Sequence, residues 1–460
     1  MVENQRRIEA KWFVLLSVGV GTFMSALDGS VVNTILPVIR TALKTDISTV
    51  EWAVTVYLLV VSGLLLTFGR LGDLRGHKQT YVAGFVIFVL GSALSGAAPS
   101  VVLLIAFRAF QAIGATMLFA NSPAILTKNF PSSQRGQALG MQAAMTYLGL
   151  TAGPSLGGWL AESFSWRAVF YINVPVGLLA LGLSLRFIPN DRGEEQTQRF
   201  DLAGAFVLLV GLVGLLLALN QGSDWGWSSP LVLGLIAGSL LVLAVFAALE
   251  KRVQAPMLDL SLFSRRVFSS AAASAVLNYV SLYSIVFLMP FYLIQSRGLD
   301  PAQAGLLLTA QPLVMAITAP IAGTLSDRIG SRIPATSGMA ILAVAMFLLS
   351  RLGPTTPFSV VAAYLALAGL GIGVFISPNT SALMGDAPRN RQGIAAGILA
   401  TARNVGMVLG VGMAGAILTT IMGNDPGPRL INGVDAGFLA GALAAALGSL
   451  ISSVRGQEEK

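Results

Sequence analysis

Hydrophobic positions along the chain gather into runs of about 20 residues separated by short polar or Gly/Pro-containing turns, and each run is long enough to cross a bilayer as a helix. The runs lie at about 13–37, 50–68, 79–98, 101–126, 137–160 and 168–188, then 201–220 and 229–249, then 267–294, 303–325, 333–351, 357–384, 394–422 and 434–454, fourteen in all. Two polar stretches interrupt them: Pro189–Phe200, the longest charged stretch in the chain, and Glu250–Arg266. The predicted organisation is an N-terminal six-helix bundle (1–188), a linker (189–200), two inserted spans (201–249), a connector (250–266), and a C-terminal six-helix bundle with its tail (267–460). The fold class is an all-α polytopic membrane protein.

Composition agrees, since 55% of the residues are hydrophobic, 11% are charged and the mean hydropathy is +0.76. That excludes a water-soluble enzyme core. Fifty glycines suit close helix packing in lipid. Cysteine is absent and His77 is the only histidine, so thiol chemistry and a histidine metal site are not expected. No nucleophile–base set is visible within the spans, so no enzyme activity, metal or organic cofactor is expected. The net charge of +8 comes from Lys and Arg scattered over short loops beside apolar spans, a pattern that points to anionic membrane lipids rather than nucleic acid.

With both termini in the cytoplasm, 21 of the 29 Lys and Arg residues fall on the cytoplasmic side and 6 outside, while Arg108 and Arg403 lie within spans. That asymmetry fits the positive-inside rule. Trp52, Trp159, Trp166, Trp225 and Trp227 map to the external boundary and Trp12 to the internal one, as an aromatic belt requires. The other acidic residues read as loop or tail positions, whereas Asp28 lies inside the first span. A carboxylate at membrane depth is costly and marks a proton site or a counter-ion. Counting 1.5 Å per residue, Arg108 lies roughly 10 Å and Asp28 about 12 Å below the external surface. The two charges are therefore expected at matching depth, where pairing favours ionised Asp28 and burial favours its protonated form.

The chain repeats itself. Gly69-x-Leu-x-Asp73-x-x-Gly76 returns as Gly323-x-Leu-x-Asp327-x-x-Gly330, 254 residues later, and Gly114, Gly136, Gly140, Gly149, Gly153 and Gly158 recur 257 residues on as Gly371, Gly393, Gly397, Gly406, Gly410 and Gly415. Two halves of the same topology form a parallel repeat, with the spans at 201–249 inserted between them. Three local motifs accompany the repeat: Gly69-Arg-Leu-Gly-Asp73-Leu-Arg75-Gly76-His77-Lys78, Leu104-x-x-x-Arg108-x-x-Gln111-x-x-Gly114-Ala115, and Gly149-x-x-x-Gly153-Pro154-x-x-Gly157-Gly158. Trp166-Arg-x-x-Phe170-x-Ile-Asn173-x-Pro175-x-Gly177 opens the sixth span.

On these motifs the chain resembles the major facilitator superfamily, and within it the fourteen-helix drug:proton antiporters, over essentially its whole length. The resemblance implies a major facilitator fold and a proton-coupled secondary exporter of amphiphilic drugs or similar molecules, driven by the proton gradient. Such a protein is expected as a monomer in a bacterial plasma membrane. A dedicated exporter of a lipid, an antibiotic or a siderophore is an alternative, and a non-transporting protein on this scaffold is a further one. The resemblance makes Asp28 and Arg108 the proton-coupling pair; Leu365 stands where Arg108 does in the second half. It makes Gly69, Asp73, Arg75, Gly76 and Lys78, with Asp327 and Arg328, a gating motif in which an Asp accepts from a neighbouring helix N-terminus and pairs with Arg. Leu74 and His77 depart from the usual pattern. Gly149, Gly153, Pro154, Gly157 and Gly158 form the antiporter motif, a smooth kinked face that seals the domain interface. Tyr57, Gln111, Met117, Met145, Tyr147, Asn278, Tyr279, Gln311, Phe375 and Asn379 lie on helices that line the central cavity in this superfamily. Arg403, beside Asn404, is either a contact for an anionic or carbonyl group or a structural charge. With no further acid in that region, monocationic, neutral or zwitterionic amphiphiles are favoured over dications.

Overall fold

The structure, a computed structural model, describes residues 2–191, 201–226, 229–250, 260–422 and 426–455. Most of the predicted linker (192–200), Trp227 and most of the connector (251–259) lie outside the described residues. Fourteen helices cross the molecule: α1 Val2–Leu43, α2 Ile47–Arg75, α3 His77–Ala97, α4 Val101–Asn129, α5 Arg135–Ser163, α6 Asn173–Phe187 with the preceding turn Ala168–Tyr171, α7 Leu202–Trp225, α8 Pro230–Glu250, α9 Arg266–Pro290, α10 Ala310–Ile329 with the preceding Pro301–Leu308, α11 Arg332–Leu349, α12 Phe358–Asp386, α13 Gln392–Met422 and α14 Pro426–Ser453. Among the described residues there is no strand. Twelve of these segments are apolar enough to span a membrane by composition alone; α5 and α7 complete the fourteen. Helix α5 carries so many glycines that its composition is less apolar, and it packs tightly against α1 and α10.

The two halves are built alike. In the first, α1 packs on α5, α2 on α4 and α3 on α4; in the second, α9 packs on α13, α10 on α12 and α11 on α12. The halves meet crosswise, α2 against α13 and α5 against α10, as a parallel repeat about an axis normal to the membrane requires. Helix starts are set locally: the Asp46 carboxylate accepts from Thr49 N at 2.7 Å to open α2, and Asp201 accepts from Gly204 N at 2.9 Å to open α7.

Helices α7 and α8 pack on each other, and α7 rests on the seam where α2 meets α13. Ala205, Leu208 and Leu212 of α7, with Phe246 of α8, join Leu66 of α2 and Ile394 and Ile398 of α13 in one buried cluster. Farther along the same seam Leu216 meets Leu59 and Val408. The outer faces of α7 and α8 leave Phe206, Leu231, Leu240 and Leu241 exposed, as lipid-facing residues should be. Trp166 differs from the expected belt: it is buried, with the Arg167 guanidinium 4.3 Å from its ring, and belongs to the core between α1 and α4.

Removal of 201–249 and its replacement by a polar linker is expected to leave both six-helix bundles folded, because neither draws a member from the insertion. Melting should come at a lower temperature, because the apolar side chains on the α2/α13 seam lose their cover. Circular dichroism of the monodisperse protein checks this, and loss of helix beyond the deleted pair is the contrary result.

Candidate functional site

Asp28 lies on α1 and is 1% exposed; Arg108, on α4, is equally buried. One Asp28 oxygen accepts from Arg108 Nη1 at 2.6 Å, and the other accepts from Asn173 Nδ2 at 2.7 Å and Gln111 Nε2 at 3.0 Å. Gln111 also accepts from Arg108 Nη1 at 2.7 Å and donates to Ser92 Oγ at 2.6 Å. Arg108 Nε donates to the Ala53 carbonyl at 3.3 Å, and the guanidinium lies 4.2 Å from the Tyr57 ring centroid and 5.8 Å from that of Phe170. The ion pair anticipated from depth is thus direct. It ties α1, α2, α3, α4 and α6 together through one carboxylate. Asn173, Ser92 and the Ala53 carbonyl were not singled out as partners. The available signal was only that each is a polar group at the same level of its own helix. Leu365, at the place of Arg108 in the second half, is buried in an apolar core.

A second set of carboxylates closes the face that carries both termini. Asp73, at the end of α2, accepts from Gly393 N at 2.8 Å and Ile394 N at 3.0 Å, the first turn of α13. Asp327, at the end of α10, accepts from Gly136 N at 2.8 Å and Gln137 N at 3.0 Å, the first turn of α5. Each half therefore caps a helix of the other through a charge-assisted bond that also matches the helix dipole. The chains come so close that a Cβ on Gly69 would sit 2.2 Å from the Gly393 carbonyl, and one on Gly136 would sit 2.4 Å from that of Gly323. Only glycine allows these approaches.

Asp73 does not make the expected ion pair with the neighbouring Arg75. Arg75 and Arg328 are exposed, and the basic group beside Asp73 is His77, whose Nε2 is 3.4 Å from its carboxylate. His77 is buried, with Nδ1 2.8 Å from Asn121 Oδ1. Asn121 uses its Nδ2 on the Met117 and Phe68 carbonyls, so its oxygen faces His77 as the acceptor. Gly76, at φ +101°, makes the turn into α3, where Asp191 accepts from His77 N and Lys78 N. Burial pushes the Asp191 carboxyl up, but those two amide bonds and the charges of His77 and Lys128 hold it below the ordinary carboxylate range. Lys78 Nζ caps the Leu185 carbonyl of α6 at 3.0 Å.

The glycines of the antiporter motif serve the first half internally. A Cβ at Gly149 would meet the Phe23 carbonyl at 2.6 Å, one at Gly153 Ser30 Oγ at 1.7 Å, and one at Gly157 Val31 Cγ1 at 2.8 Å, all on α1. Gly158 faces open space and Pro154 lies within the helix. These glycines make a tight α1/α5 contact rather than the seal between halves, which belongs to Gly136 and Gly140 lower on the same helix. Gly406 and Gly410 of α13 lie likewise against the Val276 and Val280 carbonyls of α9.

Of the residues expected at the cavity, several face the interior of their own half. Met117 fits beneath Gly84, Phe375 beside Gly338, and Asn278 Nδ2 is 3.4 Å from Met339 Sδ. Asn379 donates to the Ala271 carbonyl at 3.0 Å and accepts from Arg455. Gln311 is buried against Gly369. Tyr147 packs into the core of the other half, and Met145 is exposed. Asn404 bridges the halves by donating to Ser62 Oγ at 2.8 Å. Next to it Arg403 lies 5.3 Å from the Phe119 ring, and its charge acts on the hydroxyls of Tyr57, Tyr147, Tyr279 and Tyr283. Among the described residues no carboxylate pairs with it. The expectation that the acids other than Asp28 fall in loops or tails is corrected: Asp435 lies inside α14, half-buried, and Glu51, Asp73 and Asp327 also lie within helices.

The family model described as Major Facilitator Superfamily matches residues 18–410 and again 271–455. The chain belongs to the Major Facilitator Superfamily. It is similar to the riboflavin transporter RibZ of Clostridioides difficile (36% identity, 88% of this chain and 87% of the relative). It is also similar to the multidrug resistance protein Stp of Mycobacterium tuberculosis (31%, 90% and 77%) and the multidrug transporter protein MdtP of Bacillus subtilis (32%, 90% and 77%). Among solved structures the human organic anion transporter MFSD10 shares the fold, with a TM-score of 0.69, 16% identity, and 96% of this chain and 99% of that one covered. As a member of this superfamily the chain is an integral membrane transporter of small molecules and not an enzyme.

Removing one partner of a buried ion pair strands the other, at a cost of about 3–5 kcal/mol. Asp28→Asn and Arg108→Gln are each expected to lower thermal stability by that order, and the double variant to lose clearly less than the sum. Thermal melts of the four purified proteins check this; strict additivity would show that the two charges do not interact.

Proposed function

We propose that this chain is a proton-coupled antiporter that exports small amphiphilic molecules by alternating access, working as a monomer in a bacterial plasma membrane with both termini cytoplasmic. The observation that carries the reading is the buried Asp28–Arg108 pair, since its one carboxylate accepts three bonds from two helices besides its own. In the ionised state Asp28 holds α1, α4 and α6 together. A proton on the carboxylate removes the charge that Arg108 and Asn173 engage and frees α1 to shift. Arg108 keeps Gln111, the Ala53 carbonyl and two aromatic faces, so its charge stays partly compensated. The moving units are residues 1–188 and 267–460, joined by the linker 189–200, the inserted helices 201–249 and the connector 250–266. The Asp73 and Asp327 clamps are the inner gate, which breaks when the halves rock to face the cytoplasm. The lysine and arginine bias toward this face supports its cytoplasmic placement beside anionic lipid headgroups.

Substrate contact is proposed at Tyr57, Tyr147, Tyr279, Arg403 and Asn404. An unpaired cation among aromatic rings suits a flat molecule carrying carbonyl or anionic oxygens more than a dication. Relatives named for riboflavin and for tetracenomycin C support that substrate class.

In proteoliposomes with an imposed pH gradient, the parent protein is expected to drive riboflavin, tetracenomycin C or puromycin against its concentration gradient. Asp28→Asn is expected to abolish gradient-driven uphill transport while keeping substrate exchange at equal pH, because the amide mimics a permanently neutral carboxyl. Uphill transport by Asp28→Asn at the parent rate contradicts the assignment.

A further inference from the structure

The loop before α5 and the loop before α13 hold equivalent places in the two halves. Pro131 matches Pro388, Ser132 matches Arg389 and Arg135 matches Gln392 at the same 257-residue offset. Each loop forms a short 3₁₀ turn, Ser132–Gln134 in one half and Arg389–Arg391 in the other. They meet on the axis of the repeat around a cavity of about 530 Å³, to which Lys128, Ser132, Arg135 and Asp191 come from the first half and Arg389 and Gln392 from the second.

The charges in this cavity do not balance. It has three cations and one carboxylate, and that carboxylate is already occupied: Asp191 accepts from His77 N at 2.9 Å and Lys78 N at 3.0 Å and lies 3.7 Å from Lys128 Nζ. Arg135 and Arg389 have no acidic partner among the described residues and repel each other across the cavity. Arg135 Nε is buried and has no acceptor. Two guanidinium groups brought together from opposite halves oppose closure of this face, whereas an oxyanion between them gives both their acceptors and turns repulsion into a bridge.

We propose that this cavity binds a phosphate group, which bridges Arg135 and Arg389 and holds the two halves in the state where the inner gate is closed. The site exists only in that state. Gln392 immediately precedes Gly393, whose N–H is held by Asp73, so breaking the clamp carries Arg389 and Gln392 away from Arg135. A ligand that binds one conformation shifts the population toward it by its differential affinity. The phosphate can come from an anionic lipid headgroup or from a soluble phosphate in the cytoplasm, and either makes the transporter's gating responsive to its surroundings.

The absence of native cysteine makes the test direct. Spin labels at Ser133→Cys and Gly385→Cys, exposed positions in opposite halves, report the separation of this face in full-length protein in nanodiscs. In phosphatidylcholine alone, a titration with inorganic phosphate tests the soluble source against chloride at matched ionic strength. Replacing a third of the lipid by phosphatidylglycerol tests the headgroup source. At least a threefold rise in the closed-to-open ratio with one of them supports the proposal and names the source. Arg389→Gln, on an exposed loop, is expected to close without ligand and to respond to neither, while Arg389→Lys keeps part of the response. A ratio that ignores both phosphate and phosphatidylglycerol in the parent, or a response that survives in Arg389→Gln, overturns it.

Discussion

The guanidinium of Arg108, 2.6 Å from the carboxylate of Asp28 and sealed from water, is the interaction on which the first half depends. Neither charge could be held at membrane depth alone, and together they need every remaining proton and lone pair satisfied. The surroundings meet that demand through Asn173, Gln111, Ser92, the Ala53 carbonyl and the Tyr57 ring, drawn from four helices. A polar network so fully satisfied specifies one arrangement of those helices.

The gate and the pair share a logic, in that each places a carboxylate where backbone or side-chain donors from another helix converge. Asp73 and Asp327 do so across the halves, where the N–H groups of α13 and α5 would otherwise be unsatisfied. Because the clamps are equivalent in the repeat, they hold the same face together on both sides of the axis. The inserted helices α7 and α8 add cover to the α2/α13 seam without entering either half's repeat.

Much of this was legible in the sequence. Apolar runs and the glycine offset revealed fourteen helices in two like halves, and depth counting along α1 and α4 brought Asp28 and Arg108 to one level. What was not legible has common physical causes. Which side of a helix a residue faces depends on tilt and rotation, so Met117, Asn278, Phe375 and Asn379 turned out to pack within their own halves. Neutral partners such as Asn173 and Ser92 carry no signal of cost, because Ser and Asn are tolerated at many places in a helix. The departure of His77 from the family pattern carried no sign of its place, yet the ring is buried beside Asp73 and held by Asn121. Gly149, Gly153 and Gly157 announced a close contact without saying with which helix.

Proton and substrate are proposed to communicate through the Asp28–Arg108 pair. Isothermal calorimetry of a transported compound, binding to the purified protein in buffers of different ionisation enthalpy, counts the protons exchanged. About one proton is expected to be released per substrate bound over the pH range in which the carboxyl titrates, and none for Asp28→Asn. A binding enthalpy that is independent of buffer in the parent at every pH, or the same proton release from Asp28→Asn, would contradict it.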